Sequence, residues 1–313
     1  MSHPYTNPEL RQDFVILFDV TNGNPNGDPD AGNLPRVDPE TMHGLVTDVC
    51  IKRKIRNYVG TLKAEEKGYR IYIQSAQALN ALHREAYEAL GLKSTGTRQN
   101  RKDKNQARKW MCEKFYDIRT FGAVMTTGVN CGQVRGPVQL TFARSIDPIV
   151  ALDLGITRMA ITREEETAQN EEGGEKTTEM GRKPLVPYGL YIAYGLINPM
   201  LAKDTGFSQN DLELLWEAIQ RMWDLDRSAS RGLMALRGLY VFTHSSPLGE
   251  APAHELFELI NIKRKNGVEV PRDFRDYEVN INREKLRQNY SGITLTRLYP
   301  DGPEILCATQ NKN

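Results

Sequence analysis

Four basic side chains lie close together in the N-terminal part of the chain and could bind an anion. They are Lys52, Arg53, Lys54 and Arg56, with no acidic residue between them. In a helix, Lys52 and Arg56 share one side, so these cations repel one another and gain nothing from pairs within the helix. The cluster could be a solvated helix face, but its lack of acidic partners favours binding of phosphate groups.

A loop rich in amide side chains precedes this cluster. Residues 22–28 read NGNPNGD, and Asn24 and Asn26 could hydrogen-bond a polar ligand. The alternation of Asn and Asp suggests an EF-hand, but Asn22 stands where that motif has Asp and Asn33 where it requires a bidentate Glu. No Gly-Lys-Ser/Thr follows, so the loop is not a P-loop either.

Candidates for catalysis are weaker. A carboxylate cluster could form from Asp19, Asp28, Asp30 and Asp38, although acidic residues in loops are usually solvated or cap helices. The four cysteines and five histidines lack the spacings of zinc sites. The sequence also lacks the hydrolase, zincin, dinucleotide and kinase motifs. We therefore predict no catalytic residue, no bound metal and no cofactor.

Two elements must position the polar loop and the basic cluster. Residues 14–20 form a nearly continuous β-branched and aromatic run, which predicts a buried central strand that the loop terminates. Residues 41–59 have apolar side chains at helical spacing, with Ile51, Ile55 and Val59 toward the core. We therefore expect the basic side chains of this helix to be exposed.

The rest of the chain alternates strands and helices. Further strands are predicted over residues 69–74, 118–125, 136–142, 185–195, 238–244, 277–281 and 294–298, and further helices over 76–90, 107–115, 208–223 and 253–260. Ser208 is the expected cap of the third of these helices. Residues 146–184 predict an excursion from the core with a mobile tip, because residues 164–181 are rich in glutamate and have few apolar side chains. This order indicates an α+β sandwich, a small sheet covered on one face by helices.

The overall composition is typical of a globular protein. The chain has 313 residues, 39% of them hydrophobic, with 41 basic and 40 acidic side chains. No apolar run approaches the roughly 20 residues of a membrane helix, so we expect a cytoplasmic protein. Charge is segregated, because residues 93–119 hold nine basic and three acidic residues while residues 164–179 hold seven glutamates and one lysine. Such separate surfaces can bind an anionic polymer and another copy of the chain.

Several of these segments together resemble a known family. Residues 18–28, 34–38 and 47–58 look like the signature of the type I CRISPR Cascade backbone subunit, the Cas-seven family of the RAMP superfamily, and match its subtype I-C form best. Residues 117–123 and 134–138 fit the same family. The resemblance therefore covers nearly the whole chain.

The resemblance implies a single elaborated α+β domain. Its palm, over about residues 13–75, 118–145 and 185–313, has a modified RRM-like (ferredoxin-like) core. A helical finger insertion covers about residues 76–117, and a β-hairpin thumb about residues 146–184.

The resemblance also implies a function and partners. Several copies would assemble head to tail along one CRISPR RNA. Each thumb would flip out one guide base, about every sixth nucleotide, while the other bases pair with target DNA. Other Cascade subunits would cap the filament. Sequence-independent phosphate contacts suit this task because base pairing reads the sequence.

The family's RNA-binding residues map onto specific positions of this chain. The RNA-backbone helix corresponds to Thr47, Lys52, Arg53 and Arg56, with Arg36 in the preceding loop. Met159 is the candidate wedge of the thumb. The remaining RNA-binding candidates lie in the amide loop and in the two later motifs: Asn24, Asn26, Arg119 and Arg135.

Two alternatives stay open at the level of the sequence. The first is a metal-dependent RNA endonuclease of the same superfamily that uses Asp28, Asp30 or Asp38, because related type III subunits cut target RNA with a loop aspartate. The second is a small-molecule enzyme whose pocket the motifs do not reveal.

Overall fold

The computed structural model describes residues 3–160 and 179–307 of the chain. Within these residues the fold is mixed α/β and is built around a large antiparallel sheet. The described strands are β1 (Gln12–Gly23), β2 (Gly27–Asp28), β3 (Leu34–Pro35), β4 (His43–Val46), β5 (Gly122–Met125), β6 (Gly132–Arg135), β7 (Val138–Leu140), β8 (Ala143–Pro148), β9 (Leu152–Arg158), β10 (Glu179–Ile197), β11 (Leu233–His244), β12 (Ile260–Arg264), β13 (Tyr277–Ile281), β14 (Ile293–Tyr299) and β15 (Glu304–Cys307). The described α-helices are α1 (Asp48–Leu62), α2 (Leu79–Ala89), α3 (Arg101–Lys114), α4 (Tyr116–Phe121), α5 (Pro199–Thr205), α6 (Gln209–Leu225), α7 (Ala253–Phe257) and α8 (Arg283–Asn289).

Strand β1 is the centre of the main sheet, as its unbroken apolar sequence predicts. The strand order is β15-β14-β11-β1-β10-β8-β4, and β7 and β9 also pair with β10. Strand β1 pairs antiparallel with β10 on one side and with β11 on the other. Nearly all of β1 is buried, because both its edges and both its faces are covered.

Helices α1 and α6 cover one face of this sheet. Phe14, Ile16, Phe18 and Val20 share this face because side chains alternate along a strand, and they belong to one apolar cluster with both helices. Phe18 stacks on Trp223 of α6 at 4.6 Å between ring centroids. As predicted, α6 begins with a capping box, in which Ser208 and Asp211 exchange hydrogen bonds.

The opposite face of the sheet is also covered, although the sequence predicts a sheet that is covered by helices on one face only. Val15 lies in a second apolar cluster with α7 and α8. Leu17 packs beneath Tyr277 of the two-stranded sheet β12–β13. The C-terminal third therefore supplies a second layer over this face. Its helices and strands are short, so their periodic pattern in the sequence is weak.

One predicted strand in the middle of the chain is wrong, and a second is confirmed only in its last four residues. Residues 69–74 contribute a single bridge, between Arg70 and Phe115. The carboxylate of Asp117 instead accepts hydrogen bonds from Tyr72 N and Ile73 N, at 2.8 and 3.1 Å. Residues 118–125 divide into the end of α4 and the short strand β5, and Gly122, with φ of 84°, ends the helix.

Boundaries also differ in two helices. The helix predicted over residues 41–59 begins only at Asp48, because β4 precedes it and Thr47 caps it. Helix α3 starts at Arg101, six residues before the predicted start at 107, because Asn100 caps it through Asp103 N.

A two-stranded hairpin extends from the main sheet. Strand β9 pairs antiparallel with residues 179–185 of β10, whose later residues pair with β1. Every residue of β9 is exposed. The turn of this hairpin and the glutamate run up to residue 178 lie outside the described residues, so the predicted mobile tip is not described.

Candidate nucleic-acid interface

An open cleft lies where β1 ends and α1 begins. Its volume is about 370 Å³. The cleft brings together four residues predicted from the sequence: Asn24, Asn26, Thr47 and Arg53. The amide loop forms one wall, and the first turns of α1 form another, so its position follows from the strand–loop–helix order of the sequence.

Asn26 joins the loop to the helix. Its Oδ1 accepts hydrogen bonds from the backbone N and the Oγ1 of Thr47, both at 2.9 Å. Thr47 Oγ1 in turn accepts from Cys50 N at 3.2 Å, which satisfies one of the free N–H groups of the first turn. Thr47 is thus a helix cap that fixes the geometry of the cleft.

Asn24 lies at the floor of the cleft and is 5% exposed. Its backbone N donates to Ser230 O at 2.8 Å, and its Nδ2 donates to Asn33 O at 2.7 Å. Its Oδ1 is buried and accepts no hydrogen bond from the described residues. A buried acceptor without a donor costs free energy, so a ligand that donates to this atom would be favoured.

Arg53 is the exposed guanidinium of the cleft. It projects from α1 and makes neither an ion pair nor a side-chain hydrogen bond with the residues that the structure describes. Lys52 differs, because its Nζ pairs with Asp48 Oδ2 at 2.9 Å and its side chain is only 12% exposed. Of the basic cluster, Arg53 is therefore the side chain most available to an anion.

Arg56 is buried, contrary to the prediction that the basic side chains of this helix are exposed. Its Nε donates to Asp117 Oδ2 at 2.8 Å, and its guanidinium lies 5.3 Å from the centroid of the Phe121 ring. The cause is α4, which packs Asp117 and Phe121 against this side of α1. In this structure Arg56 holds two helices together and does not face the cleft.

Lys54 is also buried, at 1% exposure. It forms an ion pair with Asp226 at the end of α6. Burial lowers the pKa of Lys54, and the nearby positive charge of Arg231 lowers it further, while Asp226 opposes both effects.

Arg119 makes a buried bidentate ion pair. Its Nε and Nη2 donate to the carboxylate of Asp211 at 3.0 and 2.7 Å, and the residue is 7% exposed. Its Nη1 also donates to the carbonyl oxygens of Gly68 and Cys112. The free guanidinium expected at this position is therefore absent in the described fold, because α6 brings Asp211 against it.

The other candidates do not line the cleft. Arg36 follows β3, and its Nη1 lies 3.4 Å from Asp28 Oδ2. Arg135 is exposed on β6. Met159 is 81% exposed just after β9, on the projecting hairpin.

The third wall of the cleft is a turn between α6 and β11, which the sequence does not predict to lie there. This turn contributes Ser230 and Arg231. Its Ser-Arg-Gly sequence is only a turn signal, so nothing local connects it with the amide loop. The connection comes from β1–β11 pairing, which brings Leu233 opposite Thr21 at the same end of the sheet.

The loop aspartates have structural partners. Asp38 Oδ2 accepts from Arg144 Nη1 at 2.7 Å, and this bond together with that from Glu40 N lowers the pKa of Asp38 to about 2. Asp28 Oδ1 accepts from Asp30 N at 3.2 Å. Among the described residues, no three His, Cys, Asp or Glu side chains are grouped as metal ligands.

The described helices include none that is long and apolar enough to cross a membrane.

Comparison with known proteins identifies relatives of this chain. The sequence pattern of the family described as "CRISPR-associated protein Cas7" matches residues 10–282. A protein of that name from Haloferax volcanii is 24% identical over 232 residues, which cover 67% of this chain and 64% of the relative. The match therefore spans less than two thirds of that relative's length.

Three solved structures are partly similar to this chain. A chain of a "CRISPR RNA-guided surveillance complex, pre-nicking" is 12% identical with a TM-score of 0.47, covering 75% of this chain and 78% of the other. A second "CRISPR RNA-guided surveillance complex" chain is 15% identical with a TM-score of 0.43, covering 75% and 69%. A chain of a type III-B Cmr-beta complex bound to cognate target RNA has 13% identity and a TM-score of 0.38, covering 74% and 61%. Since the family pattern extends over most of the sequence, this chain belongs to the CRISPR-associated protein Cas7 family.

Proposed function

We propose that this protein is the CRISPR RNA-binding backbone subunit of a type I-C Cascade surveillance complex. Copies of the chain polymerise head to tail along the guide RNA and present it for base pairing with target DNA in antiviral defence. Other Cascade subunits cap the filament, and the complex acts in the cytoplasm. The proposal combines the family membership with the subtype I-C resemblance of residues 18–58.

The observation that carries the proposal is the cleft at the start of α1. It offers the unpaired guanidinium of Arg53, and no acidic side chain is among its lining residues in the described part of the chain. The first turn of a helix adds partial positive charge, although Asp48 offsets part of it here. Such a site holds phosphate groups without reading bases, as a guide-binding subunit requires.

We also propose a modified RRM-like palm, with a finger at about residues 76–117 and a thumb at about residues 146–184. The strand order β11-β1-β10-β8 with α1 and α6 on one face supports the palm, because a ferredoxin-like core has this arrangement. The projecting pair of β9 and β10 supports the thumb.

We propose that the chain is not an enzyme. The partners of Asp38 and Asp28 argue against a nuclease, because each carboxylate lies beside a guanidinium, that of Arg144 or Arg36, whose positive charge opposes a metal cation. Labelled single-stranded RNA incubated with Mg²⁺ or Mn²⁺ should stay intact. Cleavage that disappears on Asp38→Ala would support the endonuclease alternative instead.

Co-purification of RNA tests the binding role. The chain is expressed with the products of its neighbouring genes and a CRISPR array, and the purified complex should carry RNA of discrete guide length. Arg53→Glu should strongly reduce this RNA, because it reverses the charge of the cleft. Arg287→Glu, on the exposed face of α8, is the matched control. Absence of RNA from the wild-type complex would contradict the proposal.

A further inference from the structure

The turn at residues 228–232 packs against the amide loop so closely that the two segments form one unit. A side chain at Gly23 would bring its Cβ within 1.9 Å of Arg231 O, and Asn24 N donates to Ser230 O. Gly232 adopts a φ of 61°, which returns the chain into β11. The turn is therefore held at the edge of the cleft by backbone contacts.

This unit directs Arg231 into the cleft with one nitrogen free. Its Nη1 donates to Pro25 O at 3.1 Å, and its Nε lies 3.4 Å from Asp226 Oδ2. Its Nη2 has no hydrogen-bond partner in residues 3–160 and 179–307. The side chain is 28% exposed, so two N–H donors on a fixed guanidinium remain available to a ligand.

The charges around Arg231 do not balance. Asp226 is shared between Lys54 and Arg231, so one carboxylate faces two cations. Arg53, which lines the same cleft, adds a third cation. Among the described residues that line the cleft, the charged ones are Arg53 and Arg231. Because both are positively charged, the cleft favours an anion.

The floor of the cleft adds a hydrogen-bond acceptor to these cations. The buried Oδ1 of Asn24 lacks a donor among the described residues. A ribose hydroxyl can donate to such an oxygen while the adjacent phosphate binds guanidinium groups.

We propose that Arg231 is a second phosphate-binding residue of the cleft, and that the RNA backbone passes between it and Arg53. This inference deepens the proposed function and depends on it. Neither the resemblance nor the basic cluster of α1 indicates this residue. An Arg231 that only holds Pro25 and Asp226 in place would be a positioning residue, and salt dependence separates these two roles.

The experiment measures the dissociation constant of the full-length chain for a fluorescein-labelled oligouridine over a series of KCl concentrations. Each phosphate contact of single-stranded nucleic acid contributes about 0.7 to the slope of log K against log salt. Arg231→Gln should weaken binding about tenfold at low salt, the loss expected for one hydrogen-bonded charge, and should lower the slope by about 0.7. Arg53→Gln should act in the same way, and Arg287→Gln should change neither quantity.

The outcomes separate the inference from the proposed function. Weaker binding by Arg231→Gln with an unchanged slope would mean a positioning role and would overturn the inference, as would unchanged binding. Failure of the wild-type chain to bind the oligouridine would instead contradict the proposed function itself.

If Arg231→Gln fails to fold, a measurement on the wild-type chain still tests the inference. Cys50 Sγ lies 3.8 Å from Arg231 Nη1 and lines the cleft. Saturating oligouridine should slow alkylation of Cys50 by iodoacetamide, because RNA held by Arg231 covers this thiol. Alkylation at the same rate with and without RNA would overturn the inference.

Discussion

The roles of three basic side chains depend on acidic partners that lie far away in the sequence. Arg56, Arg119 and Lys54 meet their carboxylates 61, 92 and 172 positions along the chain. By contrast, the sequence alone predicts that the amide loop lies near Arg53, because strand, loop and helix are consecutive in the chain. Which cation of the cluster is exposed follows only from tertiary packing.

Replacement of a buried ion-pair partner should reduce the stability of the protein. Arg56→Ala leaves Asp117 buried without its cation, and removing one partner of a buried pair costs about 3–5 kcal/mol. Arg53→Ala changes an exposed side chain and should alter the free energy of unfolding by less than about 0.5 kcal/mol. Urea denaturation followed by circular dichroism measures both variants.

The comparison between these two variants is also a test of the fold around α4. If Arg56→Ala and Arg53→Ala unfold at the same urea concentration, then Asp117 does not hold α1 and α4 together in the way the structure describes. Simultaneous replacement of Lys52, Arg53 and Arg56 by Glu should also destabilise the fold, because Arg56→Glu would place a second carboxylate against Asp117, so this variant would not isolate RNA binding.

Elements with a strong periodic pattern are the ones that the sequence predicts well. Strand β1 and helix α6 follow from a continuous apolar run and a capped amphipathic pattern. The strands predicted over residues 69–74 and 118–125 lack such a pattern, because residues 69–74 read YRIYIQ and residues 118–121 read IRTF. In the first segment, Tyr72 N and Ile73 N donate hydrogen bonds to the carboxylate of Asp117, which is distant in sequence. In the second, residues 118–121 belong to the helix α4.

The hairpin of β9 and β10 should be removable without loss of the fold. All residues of β9 are exposed, and Leu154 and Ile156 are 44% and 50% exposed. Replacement of residues 157–182 by a short Gly/Ser linker should leave the melting temperature nearly unchanged, since little buried apolar area is lost. The variant should still bind RNA weakly through Arg53 but form no regular filaments in electron micrographs.

Two results would contradict this division of roles. Regular filaments from the variant would mean that the hairpin does not contribute to assembly. Loss of folding would mean that the hairpin supports the main sheet, and a shorter replacement restricted to residues 159–178 would then serve as the control.

At the scale of the whole molecule, repeated copies on one RNA require a heterologous contact, in which two different surfaces of the same chain meet. Such a contact that does not close a ring gives an open filament whose length the RNA limits. The cleft at α1 and the hairpin lie at the same end of the main sheet, because Gly23 at the end of β1 pairs with Val186 and the hairpin of β9 and β10 continues from Leu185. In the proposed function, the cleft would hold the RNA backbone and the hairpin would project beyond the sheet beside it.

A filament of this kind should produce a periodic tolerance of mismatches between guide and target. If each copy withdraws one guide base, that base contributes no pairing energy, so a mismatch there should leave target affinity unchanged. A mismatch at a paired position loses stacking of about 1.4 kcal/mol per step, close to tenfold in affinity. Affinity measured for targets with a single mismatch at successive positions should therefore recover at about every sixth nucleotide. Uniform sensitivity along the guide would mean that the copies do not flip bases, and a different period would mean that each copy covers a different length of RNA.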